Sequence, residues 1–197
     1  MKKFTNLQKN DIKTENPNNT NIKFKGQYIN IIDYKNYEIV SESDMVVILP
    51  YLVDEAAILL RSEFIPTYQY FYKNYPNVTN FLTVMSGQVE ENEQLKNTVR
   101  RELYEESGIV LSSMYDIEID KSLFLSKGNV ARYHVCILEL RYNDFKITTP
   151  PTDGSKEEAK SQTLRINISD IDQLRTHDLI TDYMLQKFKL EYLSKSK

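Results

Sequence analysis

The stretch that most constrains what this chain can fold into is Glu93 to Glu106, because its charges fall on the side of a helix that ought to be apolar. Leu95, Val99 and Leu103 recur at the spacing of one helical face, and Gly108 follows as a natural left-handed cap, so a helix over 93–106 is predicted. At about 100° per residue, Glu102 and Glu106 fall about 20° to either side of Leu95, with Glu105 flanking them. Asn97, Arg100, Arg101 and Tyr104 take the opposite side. Carboxylates gathered on a packed face repel one another, and burying one unpaired costs several kcal/mol or forces its protonation. A hard divalent cation removes both problems, since carboxylate oxygens are its preferred ligands. The other reading is an exposed helix whose glutamates bridge to Lys or Arg, as charge runs commonly do. The triplet alone leaves both open.

The rest of the chain supplies a setting of strands. Met45 to Leu49 is a continuous apolar run that suits a strand buried on both faces, and Ala56 to Leu60 resumes it after Asp54-Glu55. Further strands are predicted at 81–85, 123–126, 132–141 and 163–168. Ile180, Met184, Phe188 and Tyr192 recur every fourth residue and predict a C-terminal amphipathic helix. Residues 22–40 read as a β extension with a hairpin turn at Lys35-Asn36, whereas residues 1–21 hold too few apolar side chains and read as a mobile tail. The expectation is an α/β (α+β) chain with one domain over 22–197, its two main helices packed on β-structure.

Composition narrows the classes further. A formal net charge of -3 argues against a general nucleic-acid coat protein, which would carry a basic excess. A single cysteine, Cys136, excludes an internal disulfide framework and any multi-cysteine zinc site, and its strand position predicts a buried apolar role. The longest apolar run, Met45 to Val53, is far short of a membrane-spanning helix. Lys2 and Lys3 are followed by polar residues rather than an apolar block, so the expected location is cytoplasmic. His134 and His177 are too isolated in sequence to suggest a site.

The segment from Gly87 to Ile109, GQVEENEQLKNTVRRELYEESGI, resembles the signature of the Nudix hydrolases, G-x5-E-x7-R-E-U-x-E-E-x-G-U with U a bulky aliphatic residue. Gly87, Glu93, Arg101, Glu102, Leu103, Glu105, Glu106, Gly108 and Ile109 fill its fixed positions without a gap. The resemblance implies an α/β/α sandwich with a mixed sheet, and a loop–helix–loop that holds Mg²⁺ or Mn²⁺. It implies hydrolysis of a nucleoside diphosphate linked to another moiety. Carried over, Glu102, Glu105 and Glu106 are the metal-binding carboxylates, joined by the Gly87 carbonyl, and Arg101 orients them, with Glu93 as its ion-pair partner. Gly87 is expected to permit an unusual backbone turn, and Gly108 the left-handed cap. The proton of the attacking water goes to a box glutamate, Glu105 or Glu106, or to a later-loop glutamate, Glu157 or Glu158; both readings stay open.

Two features resemble the ADP-ribose and nucleotide-sugar pyrophosphatase branch: the β extension at 22–40, which in that branch accompanies a homodimer, and Leu59 to Phe64 with Arg61 at a strand end. Arg61 is either a phosphate partner or half of a surface salt bridge with Glu63 or a neighbour. The approach to the box departs from the branch, since Leu82-Thr83-Val84-Met85-Ser86-Gly87 lacks its usual glutamate and proline. Tyr68 to Tyr75 could stack on a base, pack a loop onto the domain or form a subunit interface. The expected partner is a small-molecule nucleotide. Competing functions are hydrolysis of nucleoside triphosphates, dinucleoside polyphosphates or RNA caps, and a nucleotide-binding module without catalysis.

Overall fold

A computed structural model describes residues 21–26, 29–65, 67, 70, 81–151 and 161–194. The expected tail apart from Asn21, the tyrosine-rich segment apart from Tyr70, and Glu157 and Glu158 all lie outside the described residues.

Strand β4 (Met45–Leu52) decides the layering. Its residues alternate between two faces, and both are buried: Val46, Ile48 and Leu52 join one apolar cluster while Val47 and Leu49 join another. A strand of this kind must lie inside a sheet with a layer on each side. Around it the sheet runs β12 (Gln162–Asn167), β5 (Ala57–Glu63), β4, β10 (Tyr133–Leu140) and β9 (Lys121–Leu123). Strands β6 (Phe81–Thr83) and β7 (Met85–Gln88) pair with β5 and β4. β10 runs parallel to β4 while its other pairings and those of β5 are antiparallel, so the sheet is mixed. Helix α1 (Leu95–Ser107) covers the first face through Val99 and Leu103. Helix α2 (Leu179–Phe188) covers the second through Ile180, Met184, Leu185 and Phe188. The α/β/α sandwich with a mixed sheet is the expected fold class. Among the described residues no helix is long and apolar enough to cross a membrane.

Several boundaries differ from expectation, each for a local reason. The single strand expected over 81–85 is two, broken at Val84, whose N–H donates to the Thr181 hydroxyl at 2.9 Å instead of to a neighbouring strand. The C-terminal helix gives way after Phe188 to a π-helical turn over Lys189–Leu193. Its Tyr192 stacks on Phe188 with ring centroids 5.2 Å apart, and Tyr51 meets Phe188 edge-on at 5.0 Å. A small ribbon of β8 (Ile109–Leu111) and β11 (Phe145–Ile147) was not expected, since three-residue strands carry too little pattern to read.

The β extension forms its own antiparallel sheet of β1 (Asn21–Lys25), β2 (Asn30–Tyr34) and β3 (Tyr37–Ser41). Lys35 and Asn36 take positive φ values of 51° and 69°, the turn that matches strand twist in a two-residue hairpin. Backbone hydrogen bonds of Val40 to Gly128 (2.7 Å) and from Val130 (3.0 Å) tie this sheet to the loop before β10. Cys136 is buried in β10, as expected, and burial pushes its thiol up to about 12. His134 is buried beside it, with Nδ1 2.7 Å from the Ser122 hydroxyl.

Phe188 is fully buried and joins α2, β4 and the π turn. Phe188→Ala is therefore expected to lower the unfolding free energy by about 3–5 kcal/mol, read from urea denaturation curves.

Candidate active site

Helix α1 carries no side-chain cap at Gln94, and its end is fixed instead at Gly108. Gly108 has φ 73° and donates its N–H to the Tyr104 carbonyl at 2.8 Å, so it is the left-handed cap that the sequence anticipated. Its carbonyl receives both the N–H (2.8 Å) and the hydroxyl (3.1 Å) of Thr148. A Cβ at Gly108 would collide with the Thr148 carbonyl, which gives glycine a second reason there.

Gly87 has a different reason from the one expected. It sits in strand β7 with no positive φ, so no unusual turn is made. The Glu102 carboxylate lies directly against it, and a Cβ would occupy the space of that carboxylate. Glu102 is 7% exposed. Gly87 is thus a gap in the side-chain layer of β7 into which α1 lowers a charged group.

Arg101 holds that group from α1 itself. Its Nε and Nη2 form a fork on Glu93 at 3.1 and 2.9 Å, and Nη2 also donates to the Gln88 carbonyl at 2.9 Å. Its Nη1 donates to Glu102 at 2.5 Å and to Glu105 at 3.2 Å. One guanidinium therefore ties three carboxylates and the end of β7 together. The charge-assisted fork from Arg101 holds the Glu93 carboxyl down at about 2. Burial pushes the Glu102 carboxyl up, opposed by Arg101 and assisted by Glu105 and Glu93.

Glu106 is engaged from the sheet. Along β5, Ile58 and Leu60 face α2 while Leu59 faces α1, so alternation places Arg61 on the α1 side. Arg61 is 8% exposed, and its Nε forms an ion pair with Glu106 Oε2. Its Nη1 donates to the Glu106 carbonyl at 2.9 Å and contacts the Thr163 hydroxyl at 3.3 Å. Thr163, directly opposite Arg61 in the β5–β12 register, donates to the same carbonyl at 2.7 Å. Glu63 accepts from Thr83 at 2.5 Å, so the anticipated Arg61–Glu63 surface bridge is not formed. Thr163 escaped sequence reasoning, because only strand register reveals it. The α1-facing place of Arg61 was available in the alternation of β5.

The structure brings together Gly87, Glu93, Arg101, Glu102 and Glu105, and sets Glu106 beside them with Arg61; Glu158 is outside the described residues. Four carboxylates meet two guanidiniums, leaving negative charge in excess. In kind and in charge this donor set fits a hard dication. In the present arrangement the arginines hold the carboxylates, and among the described residues no three His, Cys, Asp or Glu side chains stand together as an ion cage.

A solved structure of an ADP compounds hydrolase has a similar fold, with a TM-score of 0.62 over 90% of this chain and 93% of that one at 13% sequence identity. At that identity the match shows the fold. No protein-family model matches the sequence, and no curated protein matches it.

Because the folded-state value of Glu93 lies below its usual 4.5, its contribution to stability is present above that pH and lost as pH falls toward about 2. Glu93→Gln is expected to lower Tm at pH 7 and to lose that difference from wild type between about pH 4.5 and 2, followed by circular dichroism. A difference independent of pH would show that the carboxylate charge is not what holds Arg101.

Proposed function

We propose that this chain hydrolyses a diphosphate bond in a nucleoside diphosphate linked to another moiety, with ADP-ribose or a nucleotide sugar as substrate and Mg²⁺ or Mn²⁺ as cofactor. The observation that carries the reading is a buried carboxylate, Glu102, lowered into the gap at Gly87 with Glu105 and Glu106 on the same helix. An apolar residue would pack there without the cost of burying charge, which favours a functional over a structural reason for the carboxylate. The similarity in fold to an ADP compounds hydrolase supports the choice of substrate class.

The reaction adds water across a P–O–P bridge. The water oxygen bonds to one phosphorus, the bridging oxygen leaves with the other, and the water's protons pass to a base and to the products. A dication, when bound, would neutralise the phosphate oxygens and make the water more acidic. Glu102, Glu105 and Glu106 would hold it, with the Gly87 carbonyl. The chain's own residues supply the remainder. Arg101 ties Glu93, Glu102 and Glu105 into one array, which keeps the three carboxylates close together before substrate arrives. A box carboxylate, Glu105 or Glu106, or the loop glutamate Glu158 accepts the water's proton.

The expected result is Mg²⁺-dependent conversion of ADP-ribose to AMP and ribose 5-phosphate, abolished by EDTA, with ADP-sugars and NADH compared in the same panel. Glu106→Gln should lower kcat by about 10²-fold or more while the circular dichroism spectrum keeps its wild-type shape, with Tm lowered because Arg61 is left without its carboxylate. Turnover of nucleoside triphosphates or dinucleoside polyphosphates alone would move the reading to another leaving group, and unchanged turnover in Glu106→Gln would overturn the metal assignment.

A further inference from the structure

Arg61 forms an ion pair, but with Glu106 on the inner face of the sheet and not with Glu63. It reaches no surface partner, and its guanidinium is committed on the α1 face of β5 to Glu106 and Thr163. Two kinds of contact are combined there. The Nε edge faces the Glu106 carboxylate, whereas Nη1 grips the Glu106 main-chain carbonyl, which Thr163 also holds. The Glu106 side chain is 20% exposed and that of Arg61 10%, so both charges are largely out of water. A pair of this kind gains little over an apolar pair, but loss of either partner strands a buried charge.

We propose that Arg61 is a resident counter-ion for Glu106, a positioning residue that holds the carboxylate in place until a dication replaces the guanidinium. The inference rests on the hydrolase reading above and adds to it a competition that the chain carries within itself. Arg61 and a dication bear the same sign and face the same carboxylate, so each weakens the hold of the other, and the coupling is reciprocal. The grip of Nη1 and Thr163 on the Glu106 carbonyl does not depend on the carboxylate. The last turn of α1 therefore stays docked on β5 and β12 while only the Glu106 side chain changes partner. Arg101 plays no such part for Glu106, because its contacts go to Glu93, Glu102 and Glu105.

The test is Mn²⁺ binding to the full chain without nucleotide, followed by the electron paramagnetic resonance signal of free Mn²⁺. Arg61→Gln is expected to bind Mn²⁺ about tenfold more tightly than wild type. Arg61→Lys, which keeps the charge, should stay close to wild type, and Glu106→Gln should bind more weakly. A residue that merely supported the fold would lower Tm without raising metal affinity. If wild type takes up Mn²⁺ and a folded Arg61→Gln binds it no more tightly, the counter-ion role is overturned and the hydrolase reading stands. If no form takes up Mn²⁺ even with ADP-ribose present, the hydrolase reading falls, and this inference with it. Should Arg61→Gln fail to fold, the wild-type chain answers by NMR. The Arg61 Nε–H resonance, assigned by its absence in Arg61→Lys, should shift on Mg²⁺ addition; an unchanged resonance at saturating Mg²⁺ overturns the proposal.

Discussion

Helix α1 has to do two incompatible things with one face, and the contact of the Glu102 carboxylate with Gly87 is how it does both. Val99 and Leu103 must enter the apolar cluster shared with β4, β7 and β10, which pins the helix tightly to the sheet. Glu102 and Glu106 descend with them because the helical period leaves them nowhere else to go. A side chain on β7 at this point would lift the helix and open the cluster. Gly87 removes that side chain, and the apolar packing of α1 is then compatible with its charges.

Those charges are managed from two directions, and the difference matters mechanically. Arg101 belongs to α1 and ties together Glu102 and Glu105 of that helix with Glu93 just before it. Arg61 belongs to the sheet and links Glu106 to a neighbouring layer through both a carboxylate and a main-chain carbonyl. The first arrangement ties the acidic array to the end of β7; the second registers it against β5 and β12. Thr163 strengthens this registration from a third element.

Much of this was legible in the sequence, because two patterns were strong. The apolar run at β4 predicted a strand buried on both faces, and the periodic residues of α1 predicted a helix with Glu102 and Glu106 turned inward, Glu105 staying exposed at its flank. Gly108 was readable for the same reason, since a left-handed cap at a helix end has a local signature. What escaped depended on contacts between distant segments. The steric role of Gly87 exists only once Glu102 arrives, and a sequence shows the glycine without its visitor. The burial of Arg61 follows from strand alternation, yet its partner on α1 does not, and Thr163 needs the β5–β12 register to become visible. The β8–β11 ribbon was missed because three residues are too few to establish a period.

The parallel ladder between β4 and β10 has a further bearing on how the molecule is made. It aligns Met45 with Tyr133, and the whole stretch carrying β7, Gly87 and α1 lies between these residues in the chain. Closing so large a loop is entropically expensive and slow compared with forming a hairpin. Until it closes, α1 lacks the Cys136 and Leu138 side of its apolar seat, and the acidic array has no dry wall behind it. The seat of α1 is therefore whole only when the β4–β10 ladder is in place, and a chain in which that ladder had opened would lose one wall behind these glutamates.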